Sequence, residues 1–139
     1  MYLVDTNVWL ERLLDQVRSA DVGQFLDEIA SDQLLMSDFT LHSIGIILDR
    51  LGQRSTLPQF VNDLFVDGQV TLVSVPPQAM QHVVTLMDRF NLDFDDAYQY
   101  TAAEQSSAVI VSFDGDFDRT DRGRRLPADI LATTQGAER

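Results

Sequence analysis

The sequence predicts an α/β fold, a three-layer sandwich in which helices cover both faces of a central, mostly parallel sheet of four to five strands. Short apolar segments alternate along the chain with segments whose apolar residues recur every three or four positions. The chain has 139 residues, 45% of them hydrophobic, which suffices for one domain with a substantial core. We therefore expect a single domain over residues 1–139.

The first half of the chain predicts two strands and four helices. In order, these are a strand at residues 2–4, two helices between residues 8 and 30, a strand at residues 34–36, a helix that begins at residues 37–38, and a helix from residue 55 to about residue 67. Ser37 and Asp38 are expected to cap the third helix, which ends at Gly52. Ser55 is expected to cap the fourth.

The second half predicts three more strands and two helices. In order, these are a strand at residues 70–75, a helix that opens at residues 76–77 and is interrupted at residues 91–93, a helix at about residues 94–105, a strand at residues 108–112, and an edge strand at residues 130–133. Ligands of parallel sheets bind outside the carboxyl ends of the strands. Residues that follow a strand are therefore the candidates for function.

Composition excludes several kinds of chemistry. Cysteine is absent, which excludes disulfides, thiolate metal sites and cysteine nucleophiles. Lysine is also absent, which excludes P-loops, Schiff-base catalysis and phosphoacceptor receiver domains. The net charge of −12 repels polyphosphates at long range, but it suits a basic partner protein or a cation that bridges carboxylates and phosphate.

Nothing in the sequence predicts a membrane segment. No stretch approaches the roughly 18 consecutive apolar residues of a transmembrane helix. The first residues, MYLVDTN, lack the basic and apolar regions of a secretion signal. We expect a soluble cytoplasmic protein.

Three aspartates are placed to meet at one edge of the sheet. Asp5 directly follows the first strand, Asp114 follows the strand at residues 108–112, and Asp96 lies in the first turn of the preceding helix. Carboxylates are hard oxygen ligands for Mg²⁺ or Mn²⁺, and a cluster of like charges needs a cation to neutralise it. Such a cation orients phosphate and activates water.

Each aspartate also has a structural explanation. Asp5 can serve only as a helix N-cap, Asp96 as a favourable charge at a helix N-terminus, and Asp114 as part of a turn with Gly115. The segment from Asp114 to Asp118 has the alternating oxygen ligands of a calcium loop, but its later glycine and glutamate positions are arginines. Convergence from three segments favours the metal site.

The sequence resembles the PIN domain, and in particular the VapC-like toxin nucleases of bacterial toxin–antitoxin pairs. The resemblance rests on VDTNVWLE at the N-terminus, LDFDDAYQYTAAE before the last central strand, and VIVSFDGDF at that strand, and it spans nearly the whole chain. It implies a PIN-like fold and a site in which Asp5, Asp96 and Asp114 hold Mg²⁺ or Mn²⁺. Asp116 would assist as an additional metal ligand.

One position departs from the family pattern. The family carries a glutamate in the helix after the second strand, and Ser43 stands at that position in the segment Thr40-Leu41-His42-Ser43. Asp38, His42 or Ser43 itself remain candidates to complete the site. Without one of them metal affinity should fall, because fewer anionic ligands remain.

The resemblance implies hydrolysis of RNA phosphodiester bonds, leaving a 5′-phosphate and a 3′-hydroxyl. Thr6 and Asn7 would position Asp5 or contact the scissile phosphate. The basic residues near the site are candidates for binding the RNA backbone: Arg119, Arg122, Arg124 and Arg125. They equally fit a solvated loop that offsets nearby acidic residues.

Two further expectations concern partners and the alternative function. The resemblance implies a small antitoxin partner and a homodimer, for which the apolar helices at residues 39–51 and 55–67 are suitable. The alternative is a catalytically degenerate PIN-like domain that binds RNA or protein. Ser43 favours that alternative, whereas the other three aspartates argue against it, since a dead site has no electrostatic reason to keep a repulsive cluster.

Overall fold

The computed structural model describes residues 1–137. Within them, seven helices flank a four-stranded, entirely parallel sheet, which confirms the predicted α/β class. The strands are β1 (Tyr2–Val4), β2 (Leu34–Ser37), β3 (Thr71–Val73) and β4 (Val109–Val111). The helices are α1 (Thr6–Leu13), α2 (Ser19–Glu28), α3 (Asp38–Arg50), α4 (Thr56–Val61), α5 (Met80–Phe90), α6 (Phe94–Gln105) and α7 (Pro127–Ala137).

The sheet has the strand order β3-β2-β1-β4. In register, Leu3 lies beside Leu35 on one side and Ile110 on the other, so β1 and its neighbours end at the same level. Strand order reverses at β1, because the chain passes from β1 to β2 in one direction and reaches β4 in the other. The carboxyl ends of β1 and β4 therefore border the crevice where parallel sheets bind ligands.

Alternate residues of the strands pack into separate clusters on the two faces of the sheet. One cluster contains Leu3, Leu35 and Ile110 and is covered by α5 and α6. The other contains Val4, Met36 and Val111 and is covered by the remaining helices, with Trp9 and Phe25 among its largest buried side chains. Burial on both faces explains why the segments at residues 2–4 and 108–112 are continuously apolar.

Side-chain caps fix where the site helices begin. The Ser37 hydroxyl accepts a hydrogen bond from the Thr40 amide at 3.1 Å, and the Asp93 carboxylate accepts one from the Asp96 amide at 3.0 Å. Each cap satisfies an amide that the helix itself leaves unpaired. The caps thereby fix the first turns of α3 and α6 beside the carboxyl edge of the sheet.

The predicted edge strand at residues 130–133 is wrong, because these residues belong to α7. Pro127 opens this helix with a φ angle suited to a first turn, and Ile130 and Leu131 are buried in the core beside α2. The free edge of β4 is instead met by Arg125, whose amide donates to the Ile110 carbonyl at 2.8 Å. A four-residue apolar run fits either a strand or a buried helical turn.

Two other predicted elements differ in extent. The segment 70–75 forms a strand only over Thr71–Val73, at the sheet edge, where Leu72 is 47% exposed. The helix predicted from residue 55 ends as α4 at Val61 and continues as a π-helical turn, Asn62–Val66. Ser55 makes no capping hydrogen bond there.

No helix within residues 1–137 is long and apolar enough to cross a membrane.

The placement of α7 predicts a large effect of Ile130→Ala on stability. The substitution should lower the free energy of unfolding by about 2–5 kcal/mol, because it removes most of a side chain that is 1% exposed. Val84→Ala on α5 is the control, since Val84 is 46% exposed, and should cost less than about 0.5 kcal/mol. Urea unfolding followed by circular dichroism measures both, and equal small effects would contradict this packing.

Candidate active site

Four aspartates converge at the carboxyl edge of the sheet. Asp5 follows β1, Asp114 and Asp116 follow β4, and Asp96 lies in the first turn of α6. One carboxylate oxygen from each of Asp96, Asp114 and Asp116 lies within 4.8 Å of the others. The structure thus brings these three together as a group able to hold a cation, and it places Asp5 directly behind them.

The Asp5 carboxylate is 8% exposed and is held by hydrogen bonds to both of its oxygens. Oδ1 accepts from the Thr6 amide at 2.8 Å and from Gln99 Nε2 at 3.0 Å. Oδ2 accepts from Ser112 Oγ at 2.8 Å and from Asn7 Nδ2 at 3.4 Å. Burial raises the pKa of Asp5, and the hydrogen bonds from Gln99, Ser112 and Thr6 oppose that rise.

The Asp96 carboxylate differs from that of Asp5 in its hydrogen bonding. It is also 8% exposed, but its Oδ2 atom is buried and finds no hydrogen-bond partner among the residues that the structure describes. Burial, followed by the negative charges of Asp114 and Asp93, raises the pKa of Asp96 to about 8. An ionised carboxylate in this position therefore needs a positive charge to stabilise it.

The donor set fits a hard divalent cation. Three carboxylates supply oxygen ligands, and the buried Oδ2 of Asp96 offers a lone pair that no residue within the described range 1–137 satisfies. Mg²⁺ and Mn²⁺ bind such carboxylate groups, and their charge would offset the repulsion that raises the pKa of Asp96.

Ser112 and Asn7 join the ends of β1 and β4. Ser112 Oγ accepts from the Asp114 amide at 2.9 Å while donating to Asp5. Asn7 Oδ1 accepts from the Phe113 amide at 3.1 Å, and Asn7 Nδ2 reaches Ser112 Oγ at 3.2 Å. The Asp114 carboxylate in turn accepts from the Asp116 amide at 2.9 Å, which fixes both residues in the turn after β4.

Gln99 is a site residue that the sequence did not reveal. Its side chain is 1% exposed, and Nε2 donates both to Asp5 and to Thr40 Oγ1, the latter at 2.6 Å. Thr40 also contacts the hydroxyls of Thr6, at 2.9 Å, and Ser37, at 3.3 Å. The available signal was its position three residues after Asp96, which places it on the same face of α6.

The structure does not bring Asp38 into the acidic group. Its Oδ1 accepts a hydrogen bond from the Tyr98 hydroxyl at 2.8 Å, on the far side of the α3–α6 contact. His42 is exposed and borders a surface pocket with Asp38 and Tyr98. Ser43 is half-buried, one turn after Thr40 on α3. Among the residues the structure describes, neither Asp38 nor His42 joins the group.

The four arginines after the site bind the protein itself. Their hydrogen bonds run from Arg119 to the Phe90 and Asn91 carbonyls, from Arg122 to the Ala108 carbonyl, from Arg124 to Asp118 and the Ser112 carbonyl, and from Arg125 to the Asp129 carbonyl and Thr133. Arg119 also lies 3.4 Å from the Asp116 carboxylate. These contacts fix the segment that follows the acidic turn. They favour the interpretation in which the arginines offset the negative charge of nearby acidic residues.

The fold is that of a known family. The model of the PIN domain matches residues 2–123, and the chain belongs to the PIN-domain family. No curated protein sequence is significantly similar to the chain.

Solved structures of toxins share this fold. VapC20 of Mycobacterium tuberculosis, a sarcin–ricin loop cleaving toxin, aligns with a TM-score of 0.76 and 16% identity, over 91% of this chain and 100% of its own. FitAcB from Neisseria gonorrhoeae aligns with a TM-score of 0.72 and 22% identity, over 91% of this chain and 98% of its own. A toxin–antitoxin complex from Klebsiella pneumoniae aligns with a TM-score of 0.72 and 17% identity, over 91% of this chain and 98% of the matched chain. At these identities the similarity establishes the fold.

The raised pKa of Asp96 predicts a pH-dependent stability in the absence of metal. The pKa is about 8 in the folded chain against 3.8 for an ordinary aspartate, so the folded state holds the proton more tightly. This group's contribution to stability is therefore full below about pH 4 and is lost as the pH rises towards 8. Asp96→Asn removes that dependence, and with EDTA present it should raise the unfolding temperature at pH 8 more than at pH 5.

Thermal unfolding of both proteins across this pH range measures the effect. Mn²⁺ at about 100 times its Kd should stabilise the wild type by about 2.7 kcal/mol, or roughly 5–10 °C, and leave Asp96→Asn unchanged. Asp32→Asn is the matched control, because Asp32 is an exposed aspartate before β2, at the amino end of the sheet. An identical response of all three proteins to pH and Mn²⁺ would contradict the assignment.

Proposed function

We propose that the chain is a metal-dependent ribonuclease that hydrolyses RNA phosphodiester bonds, and that it is the toxin of a toxin–antitoxin pair. The observation that carries the proposal is the buried, unpaired Oδ2 of Asp96 beside Asp114 and Asp116. A buried carboxylate with no partner is unfavourable unless a ligand completes it. Membership of the PIN-domain family supports phosphodiester hydrolysis as the use of such a site.

In this proposal Asp96, Asp114 and Asp116 hold Mg²⁺ or Mn²⁺. When bound, the cation supplies charge that offsets the phosphate and acidifies a water molecule. Hydrolysis breaks the bond between phosphorus and the 3′ oxygen, leaving a 5′-phosphate and a 3′-hydroxyl. Because the chain carries a net charge of −12, the cation also gives the RNA its local attraction to the site.

Asp5 has a different role from the other three aspartates. Four donors engage its oxygens, so its geometry is fixed before any ligand arrives. Its negative charge lies behind Asp96 and Asp114 and adds to the potential that attracts a cation. We assign Asp5 the role of positioning the site and contributing negative charge. To contact the cation directly, its carboxylate would have to give up at least one of those hydrogen bonds.

We expect the affinity of this site for metal to be limited by position 43, where serine stands in place of the family glutamate. Ser43 carries no negative charge at the position of the family glutamate, and Asp38 binds Tyr98 instead of replacing that charge. Fewer anionic ligands hold a cation that gives up its water reluctantly. We therefore expect weaker Mg²⁺ binding than in a site with a fourth carboxylate, and a stronger dependence of activity on Mn²⁺ concentration.

A protein partner has a candidate surface on α3 and α4. A surface pocket of about 630 Å³ lies there, bordered by Leu41, Gly45, Ile46, Leu57 and Val61, and Ile46 is 38% exposed. Exposed apolar surface of this kind is typical of protein interfaces. The similar structures crystallised as toxin–antitoxin complexes support an antitoxin there, with a second copy of the chain as the other candidate.

Cleavage of a labelled RNA of mixed sequence tests the proposed activity. With Mn²⁺, Asp96→Asn and Asp114→Asn should each lower the rate at least about 100-fold, because each removes an ionised ligand. Asp32→Asn should cleave like the wild type. Ser43→Glu should tighten Mn²⁺ binding by about tenfold, equivalent to about 1.4 kcal/mol, through the added charge.

Two results would contradict the proposal. Cleavage that survives Asp96→Asn would come from a contaminating nuclease or another site. A wild type that neither cleaves RNA nor binds Mn²⁺, with both gained in Ser43→Glu, would identify the chain as a degenerate PIN-like domain kept for binding.

A further inference from the structure

An aromatic pocket lies between the first turns of α3 and α6, the two helices that also contribute Thr40 and Gln99 to the site. Its lining residues are Asp38, Phe39, His42, Phe94 and Tyr98, and its volume is about 420 Å³. That volume falls within the range of about 300–1,000 Å³ typical of small-molecule sites. Three of the five lining residues are phenylalanine or tyrosine.

The rings are arranged around Tyr98. Its centroid lies 5.9 Å from that of Phe94 and 6.2 Å from that of Phe39, with the planes tilted by 44° and 49°. The Tyr98 hydroxyl accepts from the Val75 amide at 3.1 Å and donates to Asp38, so this ring is fixed. Phe94 is 44% exposed, which leaves much of its ring available for a further flat group to stack against.

The same two helices build the aromatic pocket and the acidic site. On α3, Asp38 lines the aromatic pocket and Thr40 binds Gln99. On α6, Tyr98 lines it, and the next residue, Gln99, binds Asp5. Phe94 precedes Asp96 by two residues, a rise of about 3 Å and a rotation of about 200° about the helix axis, so the two side chains leave different faces of α6. A ligand that reaches both places must therefore pass around the N-terminus of α6.

The chemistry of the aromatic pocket disfavours an anionic group and fits a flat group with N–H donors at its edge. Asp38 lines it, and Asp93 and Asp95 flank Phe94 in the sequence, so phosphate is repelled. Aromatic faces bind nucleobases by stacking, which tolerates any base. Both hydrogen bonds to Asp38 end on Oδ1, and no described residue donates to Oδ2, which remains an acceptor for a base N–H group.

We propose that the aromatic pocket binds one unstacked base of the RNA substrate next to the scissile phosphate, with Phe94 as its stacking partner. The inference rests on the proposed ribonuclease function, since it concerns how that site positions its substrate. It assigns the aromatic pocket a positioning role and predicts that substrates with an unpaired base near the cleaved bond are preferred.

Single-turnover cleavage tests this inference with Phe94→Leu and Phe94→Trp. Leucine keeps apolar packing but removes the ring, and should raise the protein concentration that gives half-maximal rate about tenfold, a modest value for one lost stacking contact. The maximal rate should stay within about twofold of the wild type. Phe94→Trp, which keeps a ring, should resemble the wild type, as should the surface control Val84→Ala.

An abasic scan of the same labelled RNA identifies the group that Phe94 contacts. Replacing successive nucleotides near the mapped cleavage site by abasic ribose should weaken wild-type binding at one position. At that position Phe94→Leu should cause no further loss, because the stacked base is already absent.

The outcomes separate this inference from the proposed function. If the wild type cleaves, Asp96→Asn does not, and Phe94→Leu matches the wild type, only the aromatic pocket is refuted. Losses from Phe94→Leu that add to those of every abasic substitution would also overturn the inference, and would indicate a surface for a partner protein. A wild type with no cleavage refutes the ribonuclease and, with it, the base-binding role.

Discussion

Four carboxyl groups are gathered at the carboxyl edge of the sheet in a partly buried setting, where water screens the repulsion between their ionised forms poorly. The topology of the fold brings these carboxyl groups together, because β1 and β4 end side by side and α6 begins next to them. The cost is concentrated on Asp96, whose pKa rises to about 8 and whose Oδ2 atom has no partner among the described residues. A divalent cation bound by these carboxylates would offset this cost.

The protein holds the second buried aspartate by a different means. Amide and hydroxyl donors from α1, α6 and β4 engage both oxygens of Asp5. Gln99 extends this network to Thr40 on α3, so the helix that lacks the family glutamate is still connected to the site. Hydrogen bonds stabilise the buried Asp5 carboxylate, whereas Oδ2 of Asp96 accepts none from the residues that the structure describes. The contrast suggests a division between a residue that holds the site and residues that bind metal.

Sequence patterns predicted the fold class and the strands that end at the site, because strands buried on both faces are continuously apolar and aspartates at their ends have a defined location. They did not predict Gln99, because its position three residues after Asp96 indicates a shared face of α6 and does not reveal that its side chain joins Asp5 to Thr40. They also failed at residues 130–133, where burial against α2 decides between helix and strand. Contacts between distant segments also decided what Asp38 and the arginines bind, and short motifs do not encode such contacts.

Anomalous diffraction from a crystal of the wild-type protein grown with Mn²⁺ tests the central claim most directly. We expect a single strong anomalous peak within bonding distance of carboxylate oxygens of Asp96, Asp114 and Asp116. Asp5 should keep its hydrogen bonds to Gln99 and Ser112. A crystal with no peak at saturating Mn²⁺, or with a peak at other residues, would contradict the assignment of this acidic group as the metal centre.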